Sequence, residues 1–129
     1  MPGKTVQSRL KNDVIIWFAT CGRDGHPHVV PVWFWWDGES FLIYSVPGQK
    51  VRDVGANPNV ALHLNSDQEG GDVVRVDGAA TIVRNHPPAY KVPGYLRKYR
   101  EHIKDNDWTP KEFSDQYHVS IRVRKPRFH

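Results

Sequence analysis

The sequence predicts an α+β fold, mainly β, with a small six-stranded antiparallel β-barrel at its centre and a few peripheral helices. Six segments rich in β-branched and aromatic residues have strand character. Short turns join most neighbouring segments, which favours antiparallel pairing. A closed or split barrel is expected because it leaves few exposed sheet edges in so short a chain. The strands are placed at 13–20, 26–36, 41–45, 59–65, 73–83 and 117–124.

Turn and breaker residues define the strands. The first strand stops at the turn-forming "CGRDG", and Asp37-Gly38 is the strongest hairpin signal in the chain. Pro27 and Pro31 predict that the second strand is an edge strand or carries a bulge, because proline cannot donate a ladder hydrogen bond. Gly78 suits a bulge or a close backbone approach in the fifth strand.

Three helices are expected around the barrel. The spacing of apolar residues over 49–56 predicts a short helix. A second is predicted to begin after the Pro-Pro pair at 87–88, because apolar residues follow at helical spacing as far as Ile103. Thr109 and Glu112 form a capping box for a third helix.

Composition narrows the class of protein. At 129 residues the chain is expected to form one domain, residues 1–129. The single cysteine, Cys21, excludes an internal disulfide and fits a reducing compartment. Cys21 follows an apolar run and precedes a turn, so a passive role is expected. No apolar run is long enough to span a bilayer and the first twelve residues lack an apolar signal segment, so a cytoplasmic protein without a membrane partner is expected.

The basic charge leaves several ligand classes open. The formal net charge is +4, and the tail "RVRKPRFH" carries much of it. Such a surface could bind nucleic acid, a phosphorylated cofactor or an anionic substrate. Nucleic acid is not expected, because the tryptophans and the basic residues are largely segregated along the chain. His26, His28 and His63 show no metal-ligand spacing, so no metal site is expected either.

Tryptophans cluster in the second strand, where three of the chain's five fall within residues 33–36. In strand geometry Phe34 and Trp36 share one face, while Trp33 and Trp35 share the other. Both faces are apolar, so one is expected to fill the barrel and the other to meet a helix, a second subunit or a ligand. Core with dimer interface, and the wall of a site for a flat heteroaromatic ligand, both remain open.

The segment "SVPGQKVRD" is a candidate anion site. Ser45 ends a strand, Gly48 allows a close turn, and Lys50 and Arg52 begin the predicted helix. Free N–H groups at a helix start favour anions, but basic side chains there oppose the helix dipole. A bound phosphate would relieve that mismatch. The alternative is two solvated surface charges.

Four motifs occur in order from Ala19 to the C-terminus: "ATCGRDGHPHVVPVWFWWDG", "YSVPGQKVRDVGANPNVALHLN", "GGDVVRVDGAATIV" and "VPGYLRKYR". In this combination the chain resembles the pyridoxamine 5′-phosphate oxidase-like flavin and deazaflavin enzymes. Within them it is most similar to the small group that uses coenzyme F-420, an 8-hydroxy-5-deazaflavin. The resemblance covers nearly the whole chain.

The resemblance implies a homodimer of FMN-binding-type split β-barrels with two cofactor sites at the subunit interface. The cofactor ring would lie along residues 30–34, and the strand end at 44–45 with Lys50 would hold its phosphate. The oxidases have an Arg-Lys pair where this chain has Gln49-Lys50, so Arg52 would supply the second cation. The expected cofactor-binding residues are Val30, Pro31, Val32, Trp33, Phe34, Tyr44, Ser45, Gln49, Lys50 and Arg52.

F-420 is the expected cofactor, with FMN as the alternative. The oxidase's C-terminal Arg/His motif for its own substrate is not recognisable, so pyridoxamine phosphate oxidation is not expected. The resemblance implies an oxidoreductase that transfers a hydride between the cofactor and a small organic acceptor. No residue stands out as a catalytic acid or base. A carrier that binds the cofactor without turnover is the alternative, and nucleic-acid binding through the basic tail is a third hypothesis.

Overall fold

One antiparallel sheet of seven strands organises the molecule. In the computed structural model, which describes residues 3–129, the strands follow the order β2-β1-β5-β6-β7-β4-β3. β2, at one edge, also contacts β4 near the other edge, so the sheet curls into a half-barrel, as expected of a split barrel. The strands are β1 Ile15–Cys21, β2 Pro27–Trp33, β3 Trp35–Trp36, β4 Phe41–Ser45, β5 Asn59–His63, β6 Arg75–Ile82 and β7 Val119–Phe128.

The seventh strand corrects the expectation of six. The segment 26–36 is not one strand, because it breaks at Phe34. There the backbone N–H of Phe34 donates to the Tyr99 hydroxyl (2.8 Å), and the Phe34 carbonyl accepts from the Lys98 ammonium (3.0 Å). At Phe34 the hydrogen-bond partners are thus side chains of residues 98 and 99 and not a neighbouring strand. The strand is interrupted at this residue, so β2 ends before it and β3 begins after it.

The irregularities predicted for the strands are confirmed. β2, which contains Pro27 and Pro31, is an edge strand that pairs only with β1 among residues 3–129. The pairing of β6 with β7 shifts register at Gly78. A Cβ atom at Gly78 would lie 2.5 Å from Val123 Cγ1 and 3.2 Å from the Arg124 carbonyl oxygen, so a side chain there would displace the buried Val123 side chain. The hairpin at Asp37-Gly38 also forms, and it joins β3 to β4.

Four α-helices pack against the sheet: α1 Lys4–Asn12, α2 Gln49–Ala56, α3 Pro93–Asp105 and α4 Pro110–Gln116. α2 has the predicted bounds, and α4 has the complete Thr109–Glu112 capping box. The helix expected directly after Pro88 is instead a 3-10 turn over residues 89–91, followed by α3. α1 was not predicted, because only Leu10 of this polar segment is buried. No helix within residues 3–129 is long and apolar enough to cross a membrane.

Apolar side chains form two clusters, one on each face of β4. The half-barrel interior contains Phe18, Phe34 and Trp36 among others. The second cluster joins β4 to α3 and α4, and Trp33 and Trp35 pack against it. β4 is therefore buried at every position. Trp36 lies in the barrel interior, whereas Trp33 and Trp35 pack against helices. A helix was one of the three neighbours expected for the strand face that carries Trp33 and Trp35.

Candidate functional site

A cavity of about 430 Å³ lies where β2, β4 and the start of α2 meet α3 and α4. This volume lies within the range of small-molecule sites. Half of the predicted cofactor-binding residues line it: Pro31, Val32, Trp33, Tyr44 and Lys50.

The facing wall comes from the region around α3 and α4, which the sequence interpretation did not assign to the site. Its members are mostly aromatic, and the density of aromatic residues from 95 to 117 was the signal that could have identified them. They are Tyr95, Asn106, Trp108, Phe113 and Tyr117.

An aromatic stack fixes the position of Trp33 in the cavity wall. Its ring lies parallel to Tyr99, with centroids 4.7 Å apart and planes 6° apart, and it also stacks on Phe113 at 5.4 Å. Phe113 stacks in turn on Tyr117 at 4.7 Å. Such pairs stabilise beyond the area that they bury, by about 0.5–1.5 kcal/mol each. The wall is therefore built before any ligand arrives.

Gly94 brings the first turn of α3 against β3. A Cβ atom at Gly94 would lie 2.1 Å from Cζ2 of Trp35, so only glycine permits this approach. The contact places the next residue, Tyr95, against Tyr44, with ring centroids 4.9 Å apart in an edge-to-face arrangement. Trp35 thus positions α3, although Trp35 does not line the cavity.

The Tyr95 hydroxyl is a buried polar group without a partner. Its side chain is fully buried, and no hydrogen bond to the hydroxyl is present within residues 3–129. Burial, reinforced by the neighbouring tyrosines, raises the pKa of Tyr95 well above its usual value, so the phenol keeps its proton. Leaving such a group unsatisfied costs about 1–3 kcal/mol.

Lys50 lines the cavity, and its side chain lacks a partner in the part of the chain that the structure describes. It lies in the first turn of α2 and is half-buried, and burial lowers the pKa of its ammonium. No hydrogen bond or ion pair to the Lys50 side chain is present in the part of the chain that the structure describes. Since buried charges are ordinarily paired, a bound anion would complete this position.

Tyr44 and Ser45, at the end of β4, already have acceptors within the chain. The Tyr44 hydroxyl donates to the Pro87 carbonyl at 2.8 Å, and burial raises the pKa of Tyr44. The Ser45 hydroxyl donates to the Val46 carbonyl, and Ser45 is fully buried and does not line the cavity. Tyr44 contributes its ring to the cavity, whereas Ser45 lies outside it.

The remaining predicted residues lie outside the cavity lining. The Gln49 amide donates to Asp53 at 2.8 Å and accepts from exposed Arg52 at 3.1 Å. Val30 is 38% exposed on the edge strand, and Phe34 is buried in the barrel interior. Their roles as cofactor ligands stay predictions.

Asp53 anchors the helix that carries Lys50. Its buried carboxylate accepts from the Thr20 hydroxyl at 2.8 Å and the Gln49 amide at 2.8 Å, and it pairs with Nδ1 of His28 at 2.9 Å. Burial raises the pKa of Asp53, but the hydrogen bonds from Gln49, Thr20 and His28 outweigh it and hold the pKa below its ordinary value. The carboxylate ties α2 to β1 and β2. Among residues 3–129, no group of three or more His, Cys, Asp or Glu could hold a metal ion.

Comparisons with known proteins agree with this architecture. A family model described as pyridoxamine 5′-phosphate oxidase matches residues 3–125. A solved structure described as an F420 reductase has a TM-score of 0.71 and 26% identity, covering 100% of this chain and 98% of that one. A FAD-binding protein from Mesorhizobium loti has a TM-score of 0.62 and 21% identity, covering 96% of this chain and 87% of that one.

Two further proteins also resemble this chain. HutZ, a heme storage protein from Vibrio cholerae, has a TM-score of 0.65 and 14% identity, covering 98% of this chain and 92% of that one, so this likeness concerns the fold alone. An uncharacterized protein of Rhizobium meliloti (strain 1021) is 36% identical over 44 residues, which is 34% of this chain and 29% of that protein. Because the family model spans nearly the whole chain and the sheet has the expected split-barrel form, the chain belongs to the pyridoxamine 5′-phosphate oxidase family.

Proposed function

We propose that this protein is an oxidoreductase that binds a deazaflavin or flavin in the aromatic cavity and transfers a hydride between it and a small organic acceptor. One observation carries the proposal: the Lys50 side chain, which has no partner within residues 3–129, lines a preformed aromatic cavity. Sites of this kind orient a flat apolar ligand through a few polar contacts.

The residues present fit such a cofactor. The stacked wall at Trp33 and Phe113 suits a flat ring system. Lys50, at the start of α2, suits a phosphate, because the helix N-terminus and the ammonium both favour an anion. F-420 is the first choice and FMN the second. The likeness to a solved F420 reductase over the full length of this chain supports that order.

When bound, the cofactor would supply the hydride chemistry. The chain's residues would orient the ring and exclude water from it. No Asp, Glu, His or Cys is among the described residues that line the cavity. No side chain is assigned as catalytic acid or base, and the proton that accompanies the hydride would come from water.

A second copy of the chain is proposed as the partner that completes the site. The edge strand β2 exposes Val29 (54%) and Val30 (38%) next to cavity residue Pro31. Apolar side chains on an unpaired edge invite pairing with another chain. Light scattering should give a dimer for the wild type, and Val29→Lys with Val30→Lys should shift it toward the monomer. A monomeric wild type would contradict this part of the proposal.

Equilibrium binding tests the cofactor. The wild type should bind F-420 or FMN at micromolar concentration, as measured by fluorescence or ultrafiltration. Lys50→Ala should weaken binding by about 10-fold or more, as expected for a lost hydrogen bond to a charged group. Lys104→Ala, at an exposed position of α3 away from the cavity, is the matched control. If the wild type binds neither cofactor, the proposal fails.

A carrier without turnover is the second candidate, and the lack of a carboxylate, imidazole or thiol among the described residues that line the cavity favours it. Reduced F-420 and reduced FMN, each with the protein, would be mixed with quinones, enones and nitroaromatics. Protein-dependent oxidation of the cofactor would support the oxidoreductase. Binding without acceleration for every acceptor would support the carrier.

A further inference from the structure

A second cavity lies between α1, β3 and α3, away from the candidate site. Its volume is about 300 Å³, at the lower end of the range for small-molecule sites. Lys11, Trp35, Gly94, Arg97 and Lys98 are among the residues that line it. None of its lining residues lines the candidate site, so this space, the Trp35 cleft, is a separate cavity.

Three cations line the Trp35 cleft, and no Asp or Glu does so among the residues that the structure describes. Lys11 comes from the last turn of α1, whereas Arg97 and Lys98 come from α3. Lys11 and Arg97 are exposed, and their side chains have no hydrogen bond or ion pair within residues 3–129. Like charges around one small cavity repel each other, and an anion between them would replace that repulsion by attraction.

Lys98 is the cation that the fold holds in place. Its ammonium donates to the Phe34 carbonyl at 3.0 Å and the Leu10 carbonyl at 3.4 Å, and it lies 3.6 Å from the centre of the Phe34 ring. Burial lowers the pKa of Lys98 to about 8, and Asp13 opposes this shift. Asp13 is paired with Arg9 at 3.0 Å, and no carboxylate forms an ion pair with Lys98 in the described part of the chain. The charge of Lys98 is therefore held by dipoles and a ring, without a full negative charge to compensate it.

The Trp35 indole forms a fixed wall of the cleft. Its Cζ2, Cε2 and Nε1 atoms are those nearest to Gly94, whose missing side chain lets the ring pack directly on α3. Trp35 Nε1 has no hydrogen-bond partner within residues 3–129 and keeps some accessible surface. A flat apolar wall beside a cluster of cations suits a planar ring that carries an anionic group.

We propose that the Trp35 cleft is a second ligand site, for a small planar compound that carries a phosphate group. The phosphate lies among Lys11, Arg97 and Lys98, and the ring lies against Trp35. A phosphate monoester carries about two negative charges at neutral pH, which suits three cations better than a single carboxylate does. The two sites are independent of each other, because they share no lining residue.

Nuclear magnetic resonance on the full chain tests the site, with phenyl phosphate as the probe. The indole N–H signals of Trp33 and Trp35, assigned by their loss in Trp33→Phe and Trp35→Phe, report on the candidate site and the Trp35 cleft respectively. Titration with phenyl phosphate should shift the Trp35 signal. Phenyl phosphate should also bind more tightly than inorganic phosphate or phenol, because it alone has both the anion and the ring.

Calorimetric titration of two arginine variants provides the second test. Arg97→Ala should raise the dissociation constant for phenyl phosphate by about 10-fold, as expected for a lost hydrogen bond to a charged group. Arg100→Ala makes the same change of charge at an exposed position of α3 outside the cleft and is the matched control. It should leave the dissociation constant nearly unchanged. Both positions are exposed, so both variants should unfold at the wild-type temperature.

The outcomes distinguish this site from the candidate site. A shift of the Trp33 signal alone, or equal binding by Arg97→Ala and Arg100→Ala, would overturn the proposal. Binding of inorganic phosphate as tight as that of phenyl phosphate would overturn the assignment of a planar ligand. If the wild type binds neither F-420 nor FMN but the Trp35 signal shifts with phenyl phosphate, the proposed function fails and this site stands.

Discussion

Two buried tyrosines one helical turn apart on α3 should respond to the same substitution with opposite sign. Tyr99→Phe and Tyr95→Phe each remove one hydroxyl from a fully buried side chain. The Tyr99 hydroxyl has partners on the backbone, whereas the Tyr95 hydroxyl has none within residues 3–129. The sign of each effect follows from that difference.

The expected magnitude for Tyr99→Phe comes from the bonds that are lost. The Phe34 N–H, 2.8 Å from the hydroxyl, would lose its acceptor at a buried position, which costs about 1–3 kcal/mol. The bond to the Val14 carbonyl, at 2.7 Å, contributes about 1 kcal/mol more. The Phe34 carbonyl would keep its bond from Lys98. We expect the free energy of unfolding to fall by about 2–4 kcal/mol.

For Tyr95→Phe we expect the free energy of unfolding of the ligand-free protein to rise by about 1 kcal/mol, because a desolvated hydroxyl without a partner is removed. Equilibrium unfolding in urea, followed by circular dichroism, measures both variants. Unchanged m-values would show that the change lies in stability and not in the extent of unfolding. A loss below about 0.5 kcal/mol for Tyr99→Phe, or the same sign for both variants, would refute the reasoning.

Three further predictions concern the elements around the cavity. Asp53→Asn should lower stability most at neutral pH. The pKa of the wild-type Asp53 carboxylate lies below its ordinary value of 3.8. The carboxylate therefore stabilises the fold above pH 3.8, and this stabilisation is lost as the pH falls through the folded-state pKa. A difference in the free energy of unfolding between the two proteins that stays constant from about pH 7 to about pH 3 would contradict this. Gly94→Ala should destabilise the fold by about 1–3 kcal/mol in thermal unfolding, because the new methyl group meets the Trp35 ring. Gly55→Ala, a helical position with open space around it, should stabilise by about 0.5–1 kcal/mol and is the control, and equal effects would contradict the steric argument. Inorganic phosphate should displace the cofactor from the wild type, and Lys50→Ala should reduce this displacement. Equal displacement from both proteins would show that the anion binds away from Lys50.

Local sequence patterns predicted the parts of the fold that depend on neighbouring residues. The Asp37-Gly38 hairpin, the bounds of α2 and the Thr109 capping box all depend on contacts within a few positions of the chain. Pro31 identified the edge strand because a missing N–H restricts where proline can lie in a sheet, whatever the rest of the fold.

The candidate site also has a part that was predicted from the sequence and a part that was not. Within residues 31–50, five lining residues were predicted from charge, strand pattern and family resemblance, whereas Val46 was not. The facing wall and the Asp53 anchor were not predicted. Their positions depend on α3 and α4 folding back onto β4, and on a carboxylate that collects partners from three separate elements.

The sequence by itself determined most of the strands and helices, the turns, the edge strand and the position of the cation at the start of α2. Only the tertiary structure decided where β2 ends, which tryptophans line the cavity, and which hydroxyl is left without a partner. The physical reason is that these outcomes depend on pairs far apart in the chain. Phe34 meets Tyr99 and Trp35 meets Gly94, and such contacts exist only after the helices have packed onto the sheet.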